Sequence, residues 1–237
     1  MNQCIVRADN NGKRSFSETT QEEWPHKWAN KIMYYDVTDT CRTLNYKKVK
    51  KALNFAMTTW DLEIDITFKP YWWLDSGVPA VGLPEANLNI DFKSADEDNY
   101  FKDRPSVLAY AYFPGQGSVS GKVVFNNEYI WSLDGKPISG KDAKKKGWVN
   151  PYTDDNVSIK TWNIIHVLIH ELGHSLGLKH DAHNDTADVM DAYYSGKLEL
   201  SDWDIIRIRL KYPARVFSRW SHYGRLKKWL KRRKASL

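Results

Sequence analysis

The distribution of apolar and polar residues along the chain predicts an α+β domain. Five segments have strand composition or alternate between apolar and polar positions, and three have apolar residues at helical spacing. The predicted strands are 31–37, 64–71, 88–92, 107–112 and 122–125. The predicted helices are 45–60, 158–178 and a last one that begins near Ser201 and ends before Pro213.

Three polar stretches set the predicted limits of this domain. Residues 1–23 contain Asn-Asn-Gly and Ser/Thr clusters, which predict a flexible lead-in. Residues 132–157 are rich in Gly, Pro, Lys and Asp, and a loop of this length is usually a functional flap or a mobile insertion. We therefore expect one domain over 24–213, followed by a tail over 214–237.

Composition narrows the class of protein. The 237 residues are 42% hydrophobic, which is enough for a core and argues against wholesale disorder. No apolar run reaches the roughly 18–20 residues of a transmembrane helix, and the N-terminus lacks the apolar region of a signal peptide. This pattern favours a cytoplasmic or non-classically exported protein, which we expect to be a monomer. The cysteines, Cys4 and Cys41, are interpreted as unpaired thiols in preference to a disulfide.

The charge is unevenly distributed. Residues 205–237 carry twelve Lys and Arg and no acidic residue, which leaves 23 basic and 29 acidic residues in the rest of the chain. Apolar residues in the tail recur every three or four positions, and two interpretations stay open. One is a surface for an anionic partner, such as a membrane, a nucleic acid or an acidic protein. The other is a basic helix that is solvated or packed on the domain.

The segment HELGHSLGLKH carries the candidate chemistry. His170 and His174 are four residues apart and face the same side of a helix. Gly177 permits a turn with positive φ, which allows His180 to return as a third ligand. Three ligands leave one coordination position open, which is typical of a catalytic zinc site. Glu171 lies beside the ligands, where it can act as general base for a zinc-activated water.

Each of these histidines also has an interpretation that involves no metal. A helix whose histidines merely pack or face water does not explain the third histidine at this spacing. His166 lies one turn before His170, and a packed histidine is favoured over a group that supports the ligands. His183 competes with His180 as third ligand, and the spacing favours His180.

With Met190 following this motif, the chain resembles the matrixins of the metzincin clan over residues 24–213. The segment VLAYAYFPGQG resembles the edge strand that pairs with substrate, and WDIIRIRLKYP resembles the C-terminal helix. The resemblance implies a twisted, mostly parallel five-stranded sheet with an antiparallel edge strand, and three main helices. It also implies two subdomains around a zinc cleft.

The resemblance implies further site residues. Met190 matches the Met-turn methionine, with Asp204 as the buried aspartate beneath it. The backbone at Leu108 and Ala109 corresponds to the peptide-binding edge, and Tyr194 corresponds to the wall of the S1′ pocket. The implied activity is zinc-dependent cleavage of proteins or peptides. The alternative is a catalytically weak or retired scaffold that binds a partner through its basic tail.

The chain also departs from the family. Matrixins hold a second, structural zinc with three His and one Asp, and we predict that this zinc is absent here. Acidic calcium ligands are replaced at Asn126 and Tyr129, which argues against calcium. Neither cysteine lies in a cysteine-switch motif, which argues against latency by thiolate ligation. The four positions of the family's structural zinc hold Ala95, Glu97, Tyr110 and Val124.

Overall fold

The structure is a computed structural model that describes residues 23–71, 87–181 and 188–215, together with the backbone of residues 3–7. These ranges hold ten strands and five α-helices. The strands are β1 (Gln3–Arg7), β2 (Ile32–Val37), β3 (Thr67–Pro70), β4 (Leu88–Lys93), β5 (Val107–Tyr112), β6 (Val123–Asn126), β7 (Trp131–Ser132), β8 (Ile138–Ser139), β9 (Ser158–Ile159) and β10 (Trp162–Asn163). The helices are α1 (Tyr46–Asp61), α2 (Asn99–Asp103), α3 (Gly140–Lys145), α4 (Ile164–Ser175) and α5 (Asp202–Lys211).

The main sheet confirms the predicted α+β class. Its order is β1-β5-β6-β4-β2-β3, in which β6, β4, β2 and β3 run parallel. Strand β5 is antiparallel to β6, as predicted for this strand. The three longest helices, α1, α4 and α5, are the three predicted main helices.

Strand β1 was not predicted, because residues 1–23 were interpreted as a loose lead-in. It pairs antiparallel with the outer edge of β5, and Val6 lies opposite Ala109. The run Cys4-Ile5-Val6 has residues that suit a strand. It is short and lies in a polar segment, so the sequence alone does not distinguish it from a loop. Strand β5 is therefore covered on both sides within the sheet.

Helix α1 joins the sheet to the helix that carries the candidate site. It begins after Asn45, whose side chain accepts a hydrogen bond from the Lys48 N–H at 3.0 Å. Its apolar stripe faces the core, and the indole N–H of the fully buried Trp60 donates to the Ile169 carbonyl in α4 at 2.9 Å. This contact fixes α4 against α1.

Helix α4 is shorter than predicted, because its N-terminal part is replaced by two short strands. Asn163 caps the helix by accepting the Ile165 N–H at 2.9 Å, so the helix begins at Ile164. Residues 158–163 pair instead with the insertion and with β7. All twelve residues of α4 are buried, and an apolar run that is buried on every side does not reveal where a strand ends and a helix begins.

The segment 132–157 contains β8 and α3, so it holds regular structure of its own. Helix α5 begins at the predicted cap, where Ser201 and Asp204 form a capping box, and it ends at Lys211. The tail after Arg215 and the competing His183 lie outside the described residues. Within the described ranges, no helix combines the length and the apolar character needed to cross a bilayer. This finding does not support the cytoplasmic interpretation, and the location stays a prediction.

Candidate metal centre

Three histidines converge at the C-terminal half of α4. The Nε2 atoms of His170 and His174 lie 2.9 Å apart, as their spacing of four residues predicted. The ring of His180 lies with its centroid 5.2 Å from that of His170 and 4.8 Å from that of His174. One nitrogen from each of the three rings falls within 4.8 Å of the others. This is the only such group of three or more His, Cys, Asp or Glu in the described part of the chain.

The reversal that returns His180 to the helix depends on Gly177. This residue has a φ of 96°, and the Leu178 N–H donates back to the Gly173 carbonyl at 2.9 Å. A Cβ at position 177 would overlap the Lys211 side chain and lie 3.1 Å from the His26 carbonyl. Both the backbone conformation and the lack of space therefore require glycine here.

The second nitrogen of each helical histidine is held by a backbone carbonyl. His170 Nδ1 lies 2.6 Å from the Val189 carbonyl, and His174 Nδ1 lies 2.7 Å from the Leu178 carbonyl. A carbonyl only accepts, so Nδ1 carries the proton in both rings, and each Nε2 presents a lone pair to the other. Two lone pairs at this distance repel unless a cation lies between them. The donor set therefore fits a divalent metal that prefers imidazole nitrogen, such as zinc.

The surroundings of His170 and His174 favour the neutral form of each ring, which is the form that can bind a metal. Burial is the largest cause that lowers the pKa of His170 well below its usual range, followed by the neighbouring His180. Burial likewise lowers the pKa of His174, followed by His170 and His180. Neutral imidazole is the metal-binding form, so no proton has to be displaced from these rings near neutral pH.

Met190 and Asp204, which the resemblance assigns to support of the centre, contact residues next to the helical histidines, and their role stays a prediction. Met190 is fully buried, and its Cε lies 2.9 Å from the place a Cβ on Gly173 would occupy. A carboxylate oxygen of Asp204 accepts the Val189 N–H at 3.2 Å, and the Val189 carbonyl in turn holds His170. Asp204 is therefore linked to His170 through the backbone of Val189. A link through backbone atoms leaves no pattern in the sequence.

Glu171 is fully buried on α4 beside His170, and His166 is buried one turn before His170 on the same helix. The His166 Nδ1 donates to the Lys197 carbonyl at 2.7 Å, so its ring is tied to the loop after Met190. Burial lowers the pKa of His166 to about 4, which keeps it neutral. The ring of Tyr194 packs edge-on against His166 with 4.8 Å between ring centroids, which places Tyr194 against α4 one turn before His170.

The backbone of Leu108 and Ala109, which the resemblance assigns to substrate binding, is paired with another strand of the protein. Leu108 and Ala109 are fully buried in β5, and the outer edge of that strand is paired with β1. Phe113, which follows β5, packs edge-on against His174 with 5.8 Å between ring centroids. The end of this strand therefore lies against His174 in the histidine cluster.

The side chains that the resemblance assigns to the family's further ion positions make contacts within the protein. The Tyr110 hydroxyl donates to Asp98 at 2.5 Å, and Tyr110 packs with Val124 in a small apolar cluster. The Asn126 amide donates to the Val107 carbonyl at 3.1 Å. The absence of the structural zinc and of calcium stays a prediction.

Comparison with known proteins agrees with this geometry. The sequence profile of the matrixin family matches residues 27–213. Human matrix metalloproteinase-16 is 28% identical over 172 residues, which cover 71% of this chain and 24% of that protein. Cat (Felis catus) matrilysin is 28% identical over 196 residues, which cover 81% of this chain and 62% of that protein. The chain thus spans from about a quarter to under two thirds of the length of these relatives.

Two side chains near the third ligand were not predicted. Glu23 and Arg207 are 184 positions apart in the chain, and both contact the backbone of Lys179, next to His180. Arg207 lies in the segment WDIIRIRLKYP, but a contact between segments so far apart leaves no pattern in one sequence.

Replacement of Gly173 tests the packing of Met190 under the ligands. In an isolated helix, Gly173→Ala stabilises by about 1 kcal/mol. Here the new Cβ meets buried Met190, so we expect the free energy of unfolding to fall by about 1–3 kcal/mol, measured by denaturant titration with bound zinc assayed in parallel. A more stable variant with unchanged zinc content would contradict this packing.

Proposed function

Because the chain belongs to the matrixin family of metallopeptidases, we propose that it is a zinc-dependent endopeptidase. His170, His174 and His180 hold one zinc ion, and Glu171 is the general base. The observation that carries this proposal is the convergence of three imidazoles, two of which have their Nδ1 protons fixed by carbonyls so that Nε2 faces inward. Such outer contacts are typical of zinc-binding histidines.

The chain's own residues divide the chemistry between them. A bound zinc ion supplies a Lewis acid that polarises the substrate carbonyl and lowers the pKa of a water toward about 7. The Glu171 carboxylate takes the proton of the attacking water and later transfers it to the leaving amine. Glu171 is fully buried, and charge–charge interactions are stronger where water is excluded. The hydrogen bonds to Val189 and Leu178 hold the rings in position throughout.

The proposed substrate is an extended peptide that adds to the edge of β5. Backbone hydrogen bonds of Leu108 and Ala109 give affinity in this mode, and side-chain pockets give specificity. Tyr194 is proposed to line the pocket for the residue after the cleavage site. Since β1 pairs with this same edge, a peptide and β1 compete for it.

Metal content and peptide cleavage test the proposed mechanism together. We expect one zinc per chain by mass spectrometry in wild type and in Glu171→Ala, since Glu171 is not a ligand. Cleavage of a peptide library should fall by about 10²–10⁴-fold in the variant, because the general base is lost. Two zinc ions per chain would contradict the predicted loss of the structural site. One zinc without cleavage by wild type would favour the binding-scaffold alternative, which the comparisons do not favour.

Proline substitutions in β1 test the competition for the β5 edge. In an antiparallel pair, neighbouring residues alternate between facing the partner and facing outward, so only one of Ile5 and Val6 donates its N–H to β5. One of Ile5→Pro and Val6→Pro should therefore weaken β1 and raise kcat/KM several-fold, while the other serves as its control. Equal rates in wild type and both variants would show that β1 does not restrict access.

A further inference from the structure

The backbone of Lys179, the residue before the third histidine, is held by two distant side chains. Its N–H donates to Oε2 of Glu23 at 2.9 Å, and its carbonyl accepts from Nη2 of Arg207 at 2.7 Å. The Nε of Arg207 also donates to Oε1 of Glu23 at 2.5 Å, which closes the arrangement. We call these three residues the Lys179 clamp. Both backbone polar groups next to His180 are thereby fixed by one ion pair.

Both side chains of the clamp are anchored in rigid surroundings. Arg207 lies in α5 and is 7% exposed. Trp24, next to Glu23, donates its indole N–H to the Pro114 carbonyl at 2.8 Å and stacks on Phe113 with 4.7 Å between ring centroids. The clamp therefore connects the end of β5, the C-terminal helix and the loop of the third ligand.

His180 needs such support more than the other two ligands do. His170 and His174 are placed by α4, whereas His180 lies in the loop beyond Gly177. On its other side, the Asp181 N–H donates to the Met190 carbonyl at 2.9 Å. The loop is thus held immediately before and immediately after the ligand.

The clamp also pairs two opposite charges close to the third histidine. Nη2 of Arg207 contacts the carbonyl of the residue before His180, while its Nε contacts Glu23. The carboxylate of Glu23 neutralises the charge of the guanidinium at close range. Without Glu23, this largely buried guanidinium would lose its ion-pair partner, and leaving a buried charge unpaired is costly.

We propose that Glu23 and Arg207 are positioning residues that set the zinc affinity of the centre by fixing His180. This inference rests on the proposed function, because it requires the three histidines to bind zinc. Neither residue is proposed to touch zinc or substrate. The outer partners of metal ligands typically change metal affinity by about 10–100-fold when they are replaced.

The test compares Glu23→Ala and Glu23→Gln with Glu63→Gln in the full chain. Glu63 is a control of the same kind, because its carboxylate also pairs with an arginine of α5, Arg209 at 2.6 Å, and its side chain is more buried than that of Glu23. The zinc dissociation constant is measured by competition with a chelating dye, and Co²⁺ substitution gives a visible spectrum that reports ligand geometry. We expect a rise of about 10–100-fold in the zinc dissociation constant and altered Co²⁺ bands for Glu23→Ala. Glu23→Gln keeps an acceptor for the Lys179 N–H and should be intermediate, and Glu63→Gln should stay within about twofold of wild type.

Two results would overturn the inference. One is a dissociation constant within about twofold of wild type in Glu23→Ala, and the other is an equal weakening in Glu23→Ala and Glu63→Gln. If far-UV circular dichroism shows that the Ala variant is unfolded, the Gln variant decides by the same twofold limit. A wild-type protein that binds no zinc would instead refute the proposed function, so the two failures are distinguishable.

Discussion

Two imidazole nitrogens face each other at 2.9 Å in the interior of this protein, and much of the fold serves to keep them there. The carbonyls of Val189 and Leu178 fix the protons on the far side of each ring, so the inward lone pairs repel until a cation is present. The buried helix α4 sets the spacing, and Trp60 holds that helix against α1. Asp204 then secures the Val189 link from below.

The residues that the resemblance assigns to the family's structural zinc lie apart from this arrangement. Two of them, Tyr110 and Val124, pack in a small apolar cluster with Phe101 and Val107. That cluster lies on the sheet and is separate from the links that hold the histidines. Strand β5 is connected to both features: its outer edge pairs with β1, and Phe113, which follows it, packs on His174. For the proposed endopeptidase, access to this edge and the geometry of the three histidines are therefore two separate requirements.

The sequence predicted those parts of the site whose residues lie close together in the chain. The spacing of His170 and His174 follows from helix geometry, and Gly177 marks the turn to His180, so the ligand set could be proposed from eleven residues. The five predicted strands of the sheet and the cap of α5 were equally local features. The start of α4 was wrong because strand β10 and the helix form one buried apolar run. The pairing of β1 with β5 and the contact of Glu23 with Lys179 join segments far apart in the chain, and neither leaves a periodic signal.

X-ray absorption at the zinc edge tests the central claim most directly, on protein loaded with one equivalent of zinc. We predict three imidazole nitrogens and at least one further oxygen or nitrogen at about 2.0–2.1 Å, and one imidazole fewer in His180→Ala. A sulfur neighbour at about 2.3 Å, or an unchanged imidazole count in His180→Ala, would contradict the assignment of His170, His174 and His180 as the zinc ligands.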